Sequence, residues 1–414
     1  MTGMMLTLKT FIPSWKIQNR RRKTKMKITK SGTKTGIVLL LFSVAFWLTA
    51  SPRLQNRLQL PEKIYAVPGI ECNLYFENIF LTLNHANYAF EVKCPKGRCD
   101  EKRWRFIPKE SEAGTYDLLL NVYDDNGLVA TASSKVVVTP ADAGKGKTVS
   151  LLLIGSSAIE MRHAFPSHIF KLFQSPGNPV LKMIGENGPG WPDKIGEIRH
   201  EGYGGWSFTE FTTAGRRVIK GRSNARGNPF WNPETKALDF AAYFQKNNGG
   251  KAPDFITVTL GGNDISSYDD ARIDQGLVKI RERAEVFLSA LRKAAPEAVI
   301  GLTLNGYCSR SQDAFGNNYG CKLHRWQFLK NTFKYRVMII DLVKKSPGLR
   351  LQMVPMFCAH DNEKNVYKRK EPANFRNPER IMRESNGLHP VPSGYQQAGD
   401  YYYAWMKALL NQTR

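Results

Sequence analysis

Three short segments of this 414-residue chain combine residue types suited to nucleophilic chemistry. Gly155-Ser156-Ser157 follows the apolar run 149–154 and precedes a helical pattern. A tight strand-to-helix turn exposes a serine hydroxyl and aims backbone N–H groups at the same point, which suits an oxyanion. The same tripeptide also makes an ordinary turn and helix N-cap. Gly261-Gly262-Asn263-Asp264 ends a second apolar run. The Asn263 side chain is a good oxyanion donor, and the segment also reads as a turn that ends a strand. The third segment is Asn386-Gly387-Leu388-His389-Pro390, which leads through Ser393-Gly394-Tyr395 into a C-terminal helical pattern. Of the seven histidines, His389 stands between a fifth strand-like run and a final helix. From there an imidazole base could face the serine of the first strand.

The elements that must position these residues follow from periodicity. Residues 149–154 are almost continuously apolar, as in a strand buried on both faces. Similar runs cover 180–184, 255–260, 299–304 and 351–357, and helical patterns cover 273–295, 323–345 and 393–410. Strands alternating with helices predict a parallel sheet with helices on both faces, and ligands of such sheets sit at the carboxyl ends of the strands. Before this region, residues 64–140 alternate in short apolar runs (70–75, 79–83, 88–92, 117–123, 128–131, 135–138) separated by turn residues. That spacing predicts a small β-sandwich accessory domain. Residues 52–63 read as a linker, and residues 140–147 as a hinge of small residues.

With these segments in this order, residues 148–414 resemble the SGNH (GDSL-type) hydrolases. The family's first block, G-D-S, is met by Gly155-Ser156-Ser157 with Ser156 in place of Asp. Its third block, G-x-N-D, is matched in full by Gly261 to Asp264. Its fifth block, D-x-x-H, is met by Asn386 to His389 with Asn in place of Asp. Within Glu201-Gly202-Tyr203-Gly204-Gly205-Trp206-Ser207, Gly205 corresponds to the glycine of the second block. The resemblance extends to a bacterial subgroup with an N-terminal β-domain. It implies a flavodoxin-like three-layer α/β/α fold and acyl transfer without a metal or organic cofactor. Ser157 would be the nucleophile and His389 its base. The oxyanion hole would comprise the Ser157 and Gly205 amides and the Asn263 side chain. Asn386 stands where the family has the acid that orients the histidine; a backbone carbonyl or Asp361, after the fifth strand, is the alternative orienter.

The net charge of +24 suggests a polyanion partner until its distribution is read. Residues 1–50 carry ten Lys/Arg and no acid, leaving +14 over the other 364 residues with no long basic run. Nucleic-acid binding is not expected. A basic stretch, the apolar residues 36–50 and small residues at 49–51 predict a signal peptide, with an uncleaved membrane anchor as the alternative and Met26 as a possible start. The remainder is expected outside the cytoplasm: periplasmic, at the cell surface or secreted. Six cysteines fit an oxidising destination, with Cys308 and Cys321 as a disulfide around a 12-residue loop; buried free thiols are the other reading.

Two inserts contain aromatic residues: 206–243, with Trp206, Phe208, Phe211, Phe230, Trp231, Phe240 and Tyr243, and 305–326, with Tyr319 and Trp326. They can stack on sugar rings or simply pack the inserts. The sequence therefore favours an exported esterase that removes acyl or acetyl groups from a carbohydrate. A lipase or thioesterase acting on apolar acyl chains and a glycan-binding pseudoenzyme are the rivals.

Overall fold

A computed structural model describes residues 53–160, 164–190, 196–215, 227–304, 306 and 309–412. The basic and apolar N-terminal segment, including residues 36–50, and Cys308 of the expected disulfide lie outside the described residues. Cys321 is exposed and carries a free thiol.

The N-terminal strands are β1 (Lys63–Ala66) and β2 (Cys72–Tyr75), then, after the single turn α1 (Phe76–Ile79), β3 (Ala89–Lys93), β4 (Arg98–Cys99), β5 (Arg103–Phe106), β6 (Gly114–Asp124) and β7 (Gly127–Val138). They form one sheet in the order β1-β7-β6-β3 and another in the order β2-β5-β4. The β6–β7 turn uses Asn126, whose amide donates to the Asp124 carboxylate (2.9 Å), and Gly127 at φ +109°, a conformation costly for other residues. Two of the apolar runs fuse into the single strand β7, and residues 79–83 form no strand. The expected linker is tied down: the Gln55 side chain donates to the Thr131 carbonyl (2.8 Å) and accepts from its amide (2.9 Å). Residues 140–147 likewise form successive turns, and the Ala143 carbonyl accepts from the buried Lys407 ammonium.

From β8 (Thr148–Gly155) the chain continues through α2 (Ser157–Glu160), α3 (Ala164–Phe173), β9 (Val180–Ile184), β10 (Glu201–Gly202) and α4 (Phe208–Phe211). Next come β11 (Trp231–Asn232), β12 (Ala237–Leu238), α5 (Phe240–Asn248), β13 (Phe255–Thr259), α6 (Gly262–Ile265), α7 (Ile273–Ala294) and β14 (Val299–Thr303). The last elements are α8 (Gln312–Tyr319), α9 (Arg325–Lys345), β15 (Leu351–Val354), β16 (Lys368–Asn374), β17 (Asn377–Glu384) and α10 (Pro392–Gln412).

The main sheet runs β10-β8-β13-β14-β15, with β9 also paired to β8, and every pair is parallel. Strand β9 pairs with the first half of β8 and β10 with its end. Counting β9, β8, β13, β14 and β15 gives the flavodoxin-like order 2-1-3-4-5. Leu151 to Ile154 are fully buried because α3 and α10 cover one face of the sheet and α5, α7 and α9 the other. On the α10 side, the Tyr402 hydroxyl meets the Thr259 hydroxyl (2.8 Å) between the strands, and the Phe165 ring lies edge-on to Tyr402 at 4.7 Å. The mixed α/β architecture is thus the one the apolar runs predict. The described residues make one compact unit, with β1 against α10.

Candidate active site

Gly155 ends β8 at a place where a side chain has no room. A Cβ there would lie 2.6 Å from Ile159 Cγ1 and 2.9 Å from the Thr259 carbonyl oxygen. Backbone can therefore turn sharply between β13 and the loop after β10. The buried Ser156 gives its carbonyl to the amides of Ile159 (3.0 Å) and Glu160 (3.2 Å), which starts α2 at Ser157. The Ser157 Oγ lies 2.9 Å from Nε2 of His389, a residue 232 positions later in the chain. Burial holds the His389 pKa below its ordinary value, because the imidazolium loses hydration there. A neutral ring with Nε2 unprotonated is the form that accepts the serine proton.

The loop carrying His389 is braced by its own backbone and by the segment after β14. The Asn386 side-chain oxygen accepts from the amides of Leu388 (3.1 Å) and His389 (2.9 Å). The Gly387 carbonyl accepts from the Ser309 amide (2.9 Å), and the Ser309 hydroxyl donates to the Glu384 carboxylate. Among the described residues, no group accepts from Nδ1 of His389. Asn386 thus shapes the turn and makes no hydrogen bond to the ring. Asp361, the alternative acid, is occupied elsewhere. Its carboxylate accepts from the amides of Glu363 (3.0 Å) and Lys364 (2.8 Å) and from the Tyr75 hydroxyl (3.2 Å) of β2.

Two further loops leave the carboxyl edge beside Ser157. Gly202 pairs with Gly155, and the Tyr203 amide continues the ladder to the Gly155 carbonyl (3.0 Å). The Gly204 amide donates to the Glu160 carboxylate (2.5 Å), and Gly205 follows at φ +75°. On the other side of β8, Thr259 pairs with Gly155 and leads into the Gly261–Asp264 loop. One N–H of the Asn263 side chain donates to the Trp206 carbonyl (2.8 Å), which ties the two loops together; its second N–H is the donor left for a ligand. Ser157, His389, Gly205 and Asn263 therefore come from loops at one edge of the sheet.

Asp264 anchors this edge from beneath. Its carboxylate accepts from the amides of Phe208 (3.1 Å) and Gly261 (3.1 Å), and burial pushes its pKa up to about 6. We expect Asp264→Ala to destabilise the fold by about 1–3 kcal/mol, since two amides lose their acceptor. Between about pH 4 and pH 6 the folded carboxyl holds a proton that the unfolded one releases, so this group's contribution falls as pH rises through that window. Urea midpoints across the window should show a shallower decline in the variant.

No protein-family model and no curated protein matches the chain. Solved structures similar to it include a family 3 carbohydrate esterase of Clostridium thermocellum: 13% identity, 64% of this chain and 99% of that one, TM-score 0.38. A carbohydrate esterase family 3 structure from Talaromyces cellulolyticus is 16% identical over 64% of this chain and 99% of its own, with a TM-score of 0.36. A lipase/acylhydrolase from Enterococcus faecalis is 12% identical over 63% and 96%, with a TM-score of 0.33.

Among the described residues of the first aromatic insert, most rings pack inward, while Trp231 stays half-buried. Trp206, Phe208, Phe211, Phe230, Phe240 and Tyr243 are all buried, and four of these rings pack around Phe287 of α7. Sequence reasoning missed Glu160 and Ser309, which position the loops, and the β16–β17 hairpin, which precedes the His389 loop. The Asn374 side chain, accepting from the amides of Arg376 (2.9 Å) and Asn377 (3.0 Å), is the turn signal that could have revealed the hairpin.

Proposed function

We propose that this chain is an exported serine esterase that removes acyl groups, acetyl above all, from a carbohydrate through an acyl-enzyme. The observation carrying this reading is the 2.9 Å contact between Ser157 Oγ and His389 Nε2 at the carboxyl edge of the sheet. In the proposed reaction, His389 Nε2 takes the hydroxyl proton as Oγ bonds to the ester carbonyl carbon. The Ser157 and Gly205 amides and the Asn263 side chain stabilise the resulting oxyanion. Collapse breaks the ester C–O bond, and His389 returns the proton to the leaving sugar oxygen. Water, deprotonated by the same ring, then attacks the acyl-enzyme and frees Ser157. Export rests on the basic and apolar N-terminal segment.

A fluorophosphonate probe tests the reading. We expect a covalent adduct on Ser157, competed by an acetylated carbohydrate. Folded protein that stays unlabelled, or is labelled elsewhere, would refute it. One observation favours a second reading, a glycan-binding protein with weak catalysis: His389 Nδ1 has no acceptor among the described residues. Absence of labelling with retained glycan binding would establish that alternative. Rates on acetyl against octanoyl esters separate both from a lipase.

A further inference from the structure

The β16–β17 hairpin ends five residues before His389, and its two faces differ in chemistry. Alternate residues of a strand share a face. One face is fastened to α8: the Arg383 guanidinium donates to Asp313 (3.0 Å) and pairs with Glu371 (3.0 Å), and Arg369 donates to Asn317. The other face carries Lys368 and Lys370 on β16, with Met382 opposite Lys370 and Arg380 opposite Pro372 on β17. At the tip stand Phe375, 93% exposed, and Arg376, whose guanidinium lies 5.2 Å from the Phe375 ring centre. Lys368, Lys370, Arg376 and Arg380 are exposed, and none has an ion-pair partner among the described residues. Glu384, across from Lys368, is taken by the Ser309 hydroxyl.

We propose that this outer face binds an anionic polysaccharide, the polymer whose esters the site would cleave; the choice of polymer rests on the esterase reading. Cations two residues apart on a strand are spaced about 7 Å apart, so the row can follow acidic groups along an extended chain. An exposed aromatic ring beside a guanidinium supplies a flat apolar face for a sugar ring, with a charge for its substituent. A bilayer would call for a contiguous apolar tip. Here Phe375 is flanked by Asn374, Arg376, Asn377 and Pro378. The face runs into the loop that carries His389, so a bound chain would continue toward Ser157.

The test uses the full chain with polygalacturonate, neutral dextran, phosphatidylglycerol–phosphatidylcholine vesicles and oligo(dT) as probes. We expect polygalacturonate to bind at least about ten-fold more tightly than dextran and to weaken between about 50 and 200 mM salt. The combined Lys368→Ala, Lys370→Ala, Arg376→Ala and Arg380→Ala variant should lose about ten-fold in affinity and flatten the salt dependence. Phe375→Ala should lose affinity with an unchanged salt slope. Both variants should hydrolyse p-nitrophenyl acetate at the wild-type rate. Wild-type affinity in the charge variant, equal binding of dextran, or tighter binding of vesicles or oligo(dT) would overturn the proposal. Hairpin-dependent binding in a protein that hydrolyses no ester would uphold this surface and overturn the esterase reading. Ester hydrolysis without hairpin-dependent binding would do the reverse.

Discussion

Ser157→Ala is expected to lower kcat on an acetyl ester by up to about 10⁶-fold, the size of loss seen when the nucleophile of subtilisin is removed. The expectation follows from the geometry at the end of β8. Ser157 Oγ is the atom that meets His389 Nε2, and alanine leaves the base with no proton to take. The fold should survive. The lost contact contributes about 0.5–1.5 kcal/mol, and His389 is only partly covered, so water can reach its nitrogen. The turn itself depends on Gly155 and on the Ser156 carbonyl, which the substitution leaves intact. Steady-state kinetics with a thermal melt checks both halves. Undiminished turnover with an unchanged melt would move the nucleophile away from Ser157.

The sheet was legible in the sequence for a simple reason. A strand covered on both faces is largely apolar, so 149–154, 255–260 and 299–304 stood out without any partner being known; 180–184 became β9, which alternates, with Val180 and Lys182 exposed. The meeting of Ser157 and His389 was legible at one remove: chain order assigned each to a loop after a strand, and a parallel sheet brings such loops to one edge. What failed to show was whatever depends on side-chain direction. Periodicity cannot tell an aromatic ring that lines a surface from one that packs on Phe287, so Phe211 and Phe230 could be read either way. The β16–β17 hairpin has polar residues on both faces and no hydrophobic alternation, which leaves no period to read. Asp361 was plausible as an orienting acid only because its contact with Tyr75, 286 positions away, is invisible in one dimension.

Asn386→Asp is expected to raise turnover near and above neutral pH by about 10- to 100-fold. Two amides, those of Leu388 and His389, already use the Asn386 side-chain oxygen. What remains of the carboxamide is an NH₂ group, a donor. A base whose Nε2 must be free to accept from Ser157 carries its proton on Nδ1, and that proton calls for an acceptor. Asparagine therefore cannot favour the working tautomer. Aspartate keeps one oxygen for the two amides and offers the second as a charged acceptor. In the serine-protease triad the opposite change, Asp to Asn, costs about 10⁴ in kcat; a partial recovery of that factor is expected here, because the ring of His389 is already placed by its turn. The pH dependence gives the sign. Burial holds the wild-type His389 pKa below its ordinary value of 6.5, so the acid limb of kcat/KM should lie below that pH. A carboxylate beside the ring favours the imidazolium, raises that pKa and moves the acid limb upward. Below the new limb the variant loses part of its gain, since a protonated base accepts nothing. The two pH–rate profiles should therefore converge at low pH and separate above neutrality, and an acid limb at the same pH in both proteins would show that the residue 386 side chain does not act on His389.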